Sequence, residues 1–208
     1  MADTIQTHAA PPAQSARHHP RFSNREALEK WSGEAVTRAG LKIFVRPARA
    51  DDKAALEHFF GQLTQEDLSF RFLSGIRKID DARLEAMLCD SDDQSIDFLA
   101  FDVETGEVLA TAMLAADAKF ETVEFALATL PGLKGKGLSW ALLELAVRYA
   151  RAVGVKRLQS LQNAGQADAL QLEREMGFKV RACPDDYTLM LAEMDFDPVA
   201  ARPAEISG

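Results

Sequence analysis

The chain is poor in cysteine: only Cys89 and Cys183 occur among 208 residues, far apart and without a second pair. That excludes a disulfide framework and a cysteine-based zinc site, and it fits a reducing compartment. No stretch approaches the ~20 consecutive apolar residues of a membrane span. The opening segment "MADTIQTHAAPPAQSARHHPRF" also lacks the apolar core of a secretory leader, so a cytoplasmic protein is expected. Positive charge is in deficit, with 24 Lys and Arg against 32 Asp and Glu and a formal net charge of -8. A nucleic-acid partner, which demands a basic surface to neutralise phosphates, is therefore not expected. Histidine is scarce too. His8, His18 and His19 sit in the leading segment with no carboxylate or thiolate pattern around them, and His58 stands alone on a predicted helix. No metal site is expected.

What is present is a composition 47% hydrophobic, enough to bury one main core. Residues 1–22 hold almost no large apolar side chains and are expected to be a disordered tail. Ser23 and Glu26 have capping-box spacing, and Leu28, Trp31 and Ala35 follow at helical intervals up to Gly40, so 23–40 is expected to be an appended helix, with Trp31 docked on the core. The main domain is assigned to 41–194, and 195–208 to a C-terminal tail.

Within that domain "LKIFVRP" reads as a strand and "ADDKAALEHFFGQL" as a helix, and the stretches "LTQEDLSFRFL" and "DDARLEAMLCD" give two shorter helices. "SIDFLAFDV" and "EVLATAMLAA" form a hairpin through "ETGE", and "ETVEFALAT" continues the meander. The acidic loop before them is not a calcium loop, because Ser95 stands where the sixth-position glycine is required and Phe101 where the twelfth-position glutamate is. After the helix from Leu138, "VKRLQSLQ" reads as a strand, "GQADALQLEREM" as a helix, and "FKVRAC" with "YTLMLAEM" as a closing hairpin.

Between strand and helix lies the stretch "LPGLKGKGLS". A strand running into glycines and then into a helix gathers free backbone N–H groups and the positive end of the helix dipole at one point, which attracts phosphate. A Walker loop is nearly met by Gly132 to Ser139, but Leu138 occupies its lysine position. A dinucleotide fingerprint would need glycine where Trp140 stands.

"KGKGLS", Lys134 to Ser139, resembles instead the pyrophosphate loop of the GNAT superfamily of N-acetyltransferases. The wider chain is similar to the acetyltransferase domain of Pat-type bacterial protein lysine acetyltransferases, through "VRPARADDKAALEHFFGQLTQEDLSFRFLSG", "FDVETGEVLATAML", "VEFALA" and "LEREMGFKV" in that order. The resemblance implies a three-layer α/β (α+β) domain with a mixed, mostly antiparallel sheet of about six to seven strands, and acetyl-CoA as co-substrate. It implies that Lys134, Gly135, Lys136, Gly137, Leu138, Ser139 and Gln166 bind the cofactor, with the backbone of Leu127, Ala128 and Thr129 facing the thioester oxygen. Lys134 replaces the usual Gln or Arg, Ser139 the final Gly or Ala, Gln166 the usual Asn, and Glu173 the tyrosine that many members use as general acid.

Amide formation needs a base, because a lysine ammonium has a reference pKa roughly three units above neutral pH. By strand pattern alone Glu124 is an ordinary solvated carboxylate; the resemblance makes it the catalytic base. Glu121, at an odd offset, points to the opposite face. A protein lysine is the implied acceptor. A small-molecule amine or amino acid remains open, as does a non-catalytic acyl-CoA-binding module. Pat-type enzymes often carry a large regulatory domain, and since no such segment is read in these residues, regulation by that route is not expected. No motif speaks to oligomeric state.

Overall fold

The computed structural model describes residues 22, 27, 29–73, 78–88, 93–184 and 186–196. Its strands are β1 (Gly33–Val36), β2 (Lys42–Pro47), β3 (Ser95–Asp102), β4 (Val108–Ala116), β5 (Thr122–Thr129), β6 (Arg157–Asn163), β7 (Lys179–Ala182) and β8 (Leu189–Asp195). The helices are α1 (Lys53–Gly61), α2 (Gln65–Phe72), α3 (Asp81–Leu88), α4 (Leu138–Val153) and α5 (Ala167–Glu175). All eight strands form one sheet in the order β1-β2-β3-β4-β5-β6-β8-β7, antiparallel except between β5 and β6.

The central strands are apolar on both faces because helices cover both sides. Neighbouring residues of β3 therefore enter different cores: Phe98 joins the cluster under α4, whereas Leu99 joins the one under α1 and α3. On α4, Leu138, Leu142, Leu143, Ala146, Val147, Tyr149 and Ala150 are buried, the stripe that three- and four-residue spacing demands. Among the described residues no helix is long and apolar enough to cross a membrane.

Three expected boundaries move. Over Gly33–Val36 the chain is a strand, not part of a helix: β1 pairs antiparallel with β2, and Gly40, with φ +83°, serves a hairpin turn. A glycine at positive φ ends a helix and turns a hairpin equally well, and all four residues of β1 are exposed, so no apolar period marks them as strand. Residues 23–26 and 28 lie outside the described residues, but Trp31 does dock on the core, edge-on to Tyr149 with ring centroids 5.3 Å apart. At the other end β8 runs to Asp195, and the Phe196 N–H donates to the Lys156 carbonyl at 2.7 Å, so the expected tail begins later.

The third correction concerns Phe22, assigned above to a disordered tail. It is 4% exposed, packs against Phe120 and Tyr149 at centroid distances of 4.8 and 5.6 Å, and its N–H donates to the Asp93 carbonyl. Residues 1–21 lie outside the described residues. Phe22→Ala is expected to cost about 3–5 kcal/mol. In a chain of this size that lowers the melting temperature by at least roughly 6 °C. A melt unchanged by the substitution would remove Phe22 from the core.

Candidate active site

β5 pairs with β6 only through Thr122↔Arg157, Val123↔Leu158 and Glu124↔Gln159, while its pairing with β4 continues to Thr129. Beyond Glu124 the two parallel strands part, and the β6-facing edge of β5 has no strand partner. The gap is a groove of about 740 Å³, lined by Phe125, Leu127 and Thr129 of β5, by the glycine turn, and by Gln162 and α5 on the far wall. Ala128 does not line it: its side chain is 6% exposed in the core under α1 and α3, leaving only its backbone for the groove.

The glycine turn closes one end. Gly135 and Gly137 have φ of +77° and +81°, and α4 starts on Gly137 with no side chain capping its first N–H groups. Those donors, with the positive end of the helix dipole, face the groove as an anion site. The two glycines are needed for different reasons. A Cβ on Gly135 would meet nothing within 4 Å, whereas one on Gly137 would lie 3.2 Å from the Arg38 backbone nitrogen and from Thr37 Cβ. Thr37 also ties the turn down, its hydroxyl donating to the Lys136 carbonyl at 2.7 Å.

Of the other expected cofactor residues, Lys134, Leu138 and Ser139 line the groove, as does Gln166; the exposed Lys136 does not. Lys134 is already engaged, its Nζ 2.9 Å from Asp67 Oδ1. Burial alone would raise the Asp67 pKa, but hydrogen bonds from Thr64 and Lys134 hold it below the usual carboxylate value. A planar cation also borders the turn. Arg38 stacks on Trp140 with its guanidinium 3.2 Å from the ring centroid, and it lines the groove beside Gly137. Sequence reading missed it because β1 and its turn were taken as helix.

Adjoining the groove is a cavity of about 160 Å³ lined by Glu124, Arg71 and Leu161, and the two spaces share Phe70, Phe125, Leu127, Gln162 and Gln166. Glu121 lies elsewhere, paired at 2.5 Å with Lys156. Arg71 is 4% exposed and stands 3.6 Å from the equally buried Asp97. That distance is too long for a hydrogen bond, and Arg71 Nε and Nη2 and Asp97 Oδ1 have no hydrogen-bond partner. Burial pushes the Asp97 carboxyl up to about 7 against the pull of Arg71. Burial likewise lowers the Arg71 pKa, opposed by Asp97 and Glu124.

A carboxyl whose folded-state pKa is raised binds its proton more tightly folded than unfolded. Its contribution to stability is therefore complete below the unfolded value near 4 and is lost as pH rises through about 7. The unfolding free energy should carry a component that falls across that window by at most about 1.4 kcal/mol per pH unit, and the melting temperature should fall with it. Asp97→Asn should abolish that component, as pH-resolved thermal melts of both proteins would show; an unchanged pH dependence would contradict it.

On the far wall, Gln166 is the residue from which α5 starts, and its buried Oε1 has no hydrogen-bond partner. About two turns along α5, Glu173 is 2% exposed, with Oε1 accepting from the Ser160 hydroxyl and from Gln162 Nε2, the latter at 2.9 Å. Burial raises its pKa over the opposing effect of those two donors. A glutamate in a polar-looking helix gives no sequence signal of burial; the partners that hold it lie on β6.

Comparison with known proteins bears on the family and the fold. Residues 62–178 match the model of the acetyltransferase (GNAT) family. An acetyltransferase of Pseudomonas aeruginosa is 27% identical over 154 residues, covering 73% of this chain and 83% of that protein. The fold is shared with the GNAT domain of Streptomyces lividans PAT, with a TM-score of 0.72 at 21% identity over 80% of this chain and 97% of that one. It is also shared with a cAMP-binding acyltransferase from Mycobacterium smegmatis, with a TM-score of 0.54 at 21% identity over 88% of this chain; this chain spans 54% of that longer one.

Proposed function

The chain belongs to the acetyltransferase (GNAT) family, whose members use acetyl-CoA for N-acetylation, and from that premise we propose that it acetylates a protein lysine by direct transfer with Glu124 as general base. The observation that carries this reading is the parting of β5 from β6 at Glu124. The groove thereby holds an uncapped helix N-terminus and an unpaired strand edge, and the Glu124 carboxylate lines the cavity that adjoins it.

In this reading the CoA diphosphate rests on the N–H groups of Gly135 to Ser139, with Arg38 beside it, and the pantetheine arm runs along β5. The backbone from Leu127 to Thr129 donates to the thioester oxygen as charge develops there. The acceptor ammonium gives a proton to Glu124, directly or through one water, the free amine attacks the carbonyl carbon, and the tetrahedral nitrogen then loses its second proton to water. The carbon–sulfur bond breaks and the thiolate leaves. The net charge of -8 favours a cationic acceptor. The resemblance to Pat-type enzymes supports lysine, and the two distant cysteines suit work in the reducing cytoplasm.

Incubating the protein with acetyl-CoA, lysine peptides and a panel of small amines, with free CoA as readout, tests the acceptor. Turnover is expected on the peptides. Turnover confined to small amines would replace the lysine assignment, and none on any amine would favour a binding module.

A further inference from the structure

We propose that Arg38, in the turn between β1 and β2, is a specificity residue that takes the 3′-phosphate of CoA and so selects CoA over 3′-dephospho-CoA. The proposal rests on the acetyl-CoA reading above and adds to it a contact from outside the residues that match the family model, which begin at 62.

The hairpin turn is fastened to the glycine turn, and this fixes where Arg38 stands. Thr37, 5% exposed, donates its hydroxyl to the Lys136 carbonyl at 2.7 Å and accepts from the Leu41 N–H at 3.2 Å. The Arg38 backbone nitrogen packs against Gly137 closely enough that a Cβ there would lie 3.2 Å from it. Its guanidinium lies 3.2 Å from the ring centroid of Trp140, in the first turn of α4. A guanidinium stacked on an aromatic ring keeps its N–H groups at the rim, where they can fork onto a phosphate. Among the described residues no carboxylate pairs with it.

CoA extends in two directions from its diphosphate. The pantetheine arm follows β5, so the ribose, its 3′-phosphate and the adenine leave the glycine turn on the other side. A second cavity, of about 410 Å³, adjoins the groove at that end. The two spaces share Arg38, Gly137 and Trp140, and Glu144 of α4 with Glu175 and Met176 at the end of α5 line the second one.

Charge decides where in this region the phosphate rests. A phosphate monoester carries about 1.5 to 2 negative charges at pH 7. The cations lining the two spaces are Lys134 and Arg38. Lys134 is held 2.9 Å from Asp67, and drawing it away would strip a buried carboxylate of its cation. Arg38 has no such tie. Glu144 and Glu175 would repel a phosphate placed deeper in the second cavity, yet they suit the neutral adenine, whose amino group can donate to a carboxylate. The phosphate therefore belongs at the shared border, on Arg38, with the base beyond it.

Calorimetric titration of the full chain with CoA and with 3′-dephospho-CoA tests this in the parent, Arg38→Gln and Arg38→Lys. The parent should bind CoA roughly 10- to 100-fold more tightly than dephospho-CoA, the range of one or two charge-assisted hydrogen bonds, and the ratio should shrink as salt is added. Arg38→Gln should bring the ratio close to one while dephospho-CoA affinity stays at the parent value. Arg38→Lys should fall between, since it keeps the charge but loses the fork. Melting temperatures should stay close to the parent value, because Arg38 is exposed. A parent that binds the two ligands equally overturns the proposal. So does a ratio unchanged in Arg38→Gln, even where both affinities fall together, which would make Arg38 a prop for the turn or a contact to the diphosphate alone. If that variant does not fold, a parent ratio insensitive to salt overturns it. Binding of neither ligand by the parent would instead defeat the acetyl-CoA reading, and the proposal with it.

Discussion

Gly135→Glu should lose CoA affinity by about 10²-fold or more while the protein still folds. The position allows a side chain sterically, since no heavy atom lies within 4 Å of a Cβ built there. Its φ of +77° adds only about 1–2 kcal/mol of local strain. The new carboxylate, however, would stand beside the uncapped start of α4, where it takes the N–H donors for itself and repels the diphosphate. Calorimetric titration with CoA reads the loss, and S-acetyl-pantetheine, which has no diphosphate, serves as the control: its affinity should be unchanged. Equal CoA affinity in variant and parent would remove the diphosphate from this turn. Gly137→Val is a poorer probe, because its side chain also collides with Thr37 and Arg38 and would lower the melting temperature along with affinity.

That difference between two glycines marks how far the sequence could be read. The glycine turn, the α4 stripe, the β3–β4 hairpin and the closing hairpin rest on signals within a few residues of one another, and the structure has them where the pattern put them. β1 was illegible because "GEAV" has no buried face to give a period. Phe22 was illegible because its partners, Phe120 and Tyr149, are about a hundred residues away in the chain, and its neighbours are polar. In the groove, residue type and spacing singled out the glycine turn but gave no role to Arg38 or Arg71, and Glu173 drew attention only through the resemblance. Each of these takes its meaning from an element it meets only after folding: Trp140 for Arg38, Asp97 and Glu124 for Arg71, Ser160 and Gln162 for Glu173.

The second large effect belongs to Glu124. Replacing its carboxylate with the amide of Gln keeps size and hydrogen-bonding shape and removes basicity, so acetyl-CoA affinity should stay at the parent value. Turnover near pH 7 should fall by roughly 10²–10⁴, the usual contribution of a positioned base. The deficit should shrink as pH rises, because the acceptor amine is then increasingly deprotonated in solution and needs less help. Glu121 is no substitute, committed as it is to Lys156 outside the groove.

The most direct measurement is therefore the pH–rate profile of the parent and of Glu124→Gln with one lysine peptide at saturating acetyl-CoA. A base at the point where β5 leaves β6 predicts a variant 10²–10⁴-fold slower near pH 7 that gains on the parent toward alkaline pH. Equal rates for the two proteins at pH 7 would contradict it and reduce Glu124 to an ordinary strand carboxylate.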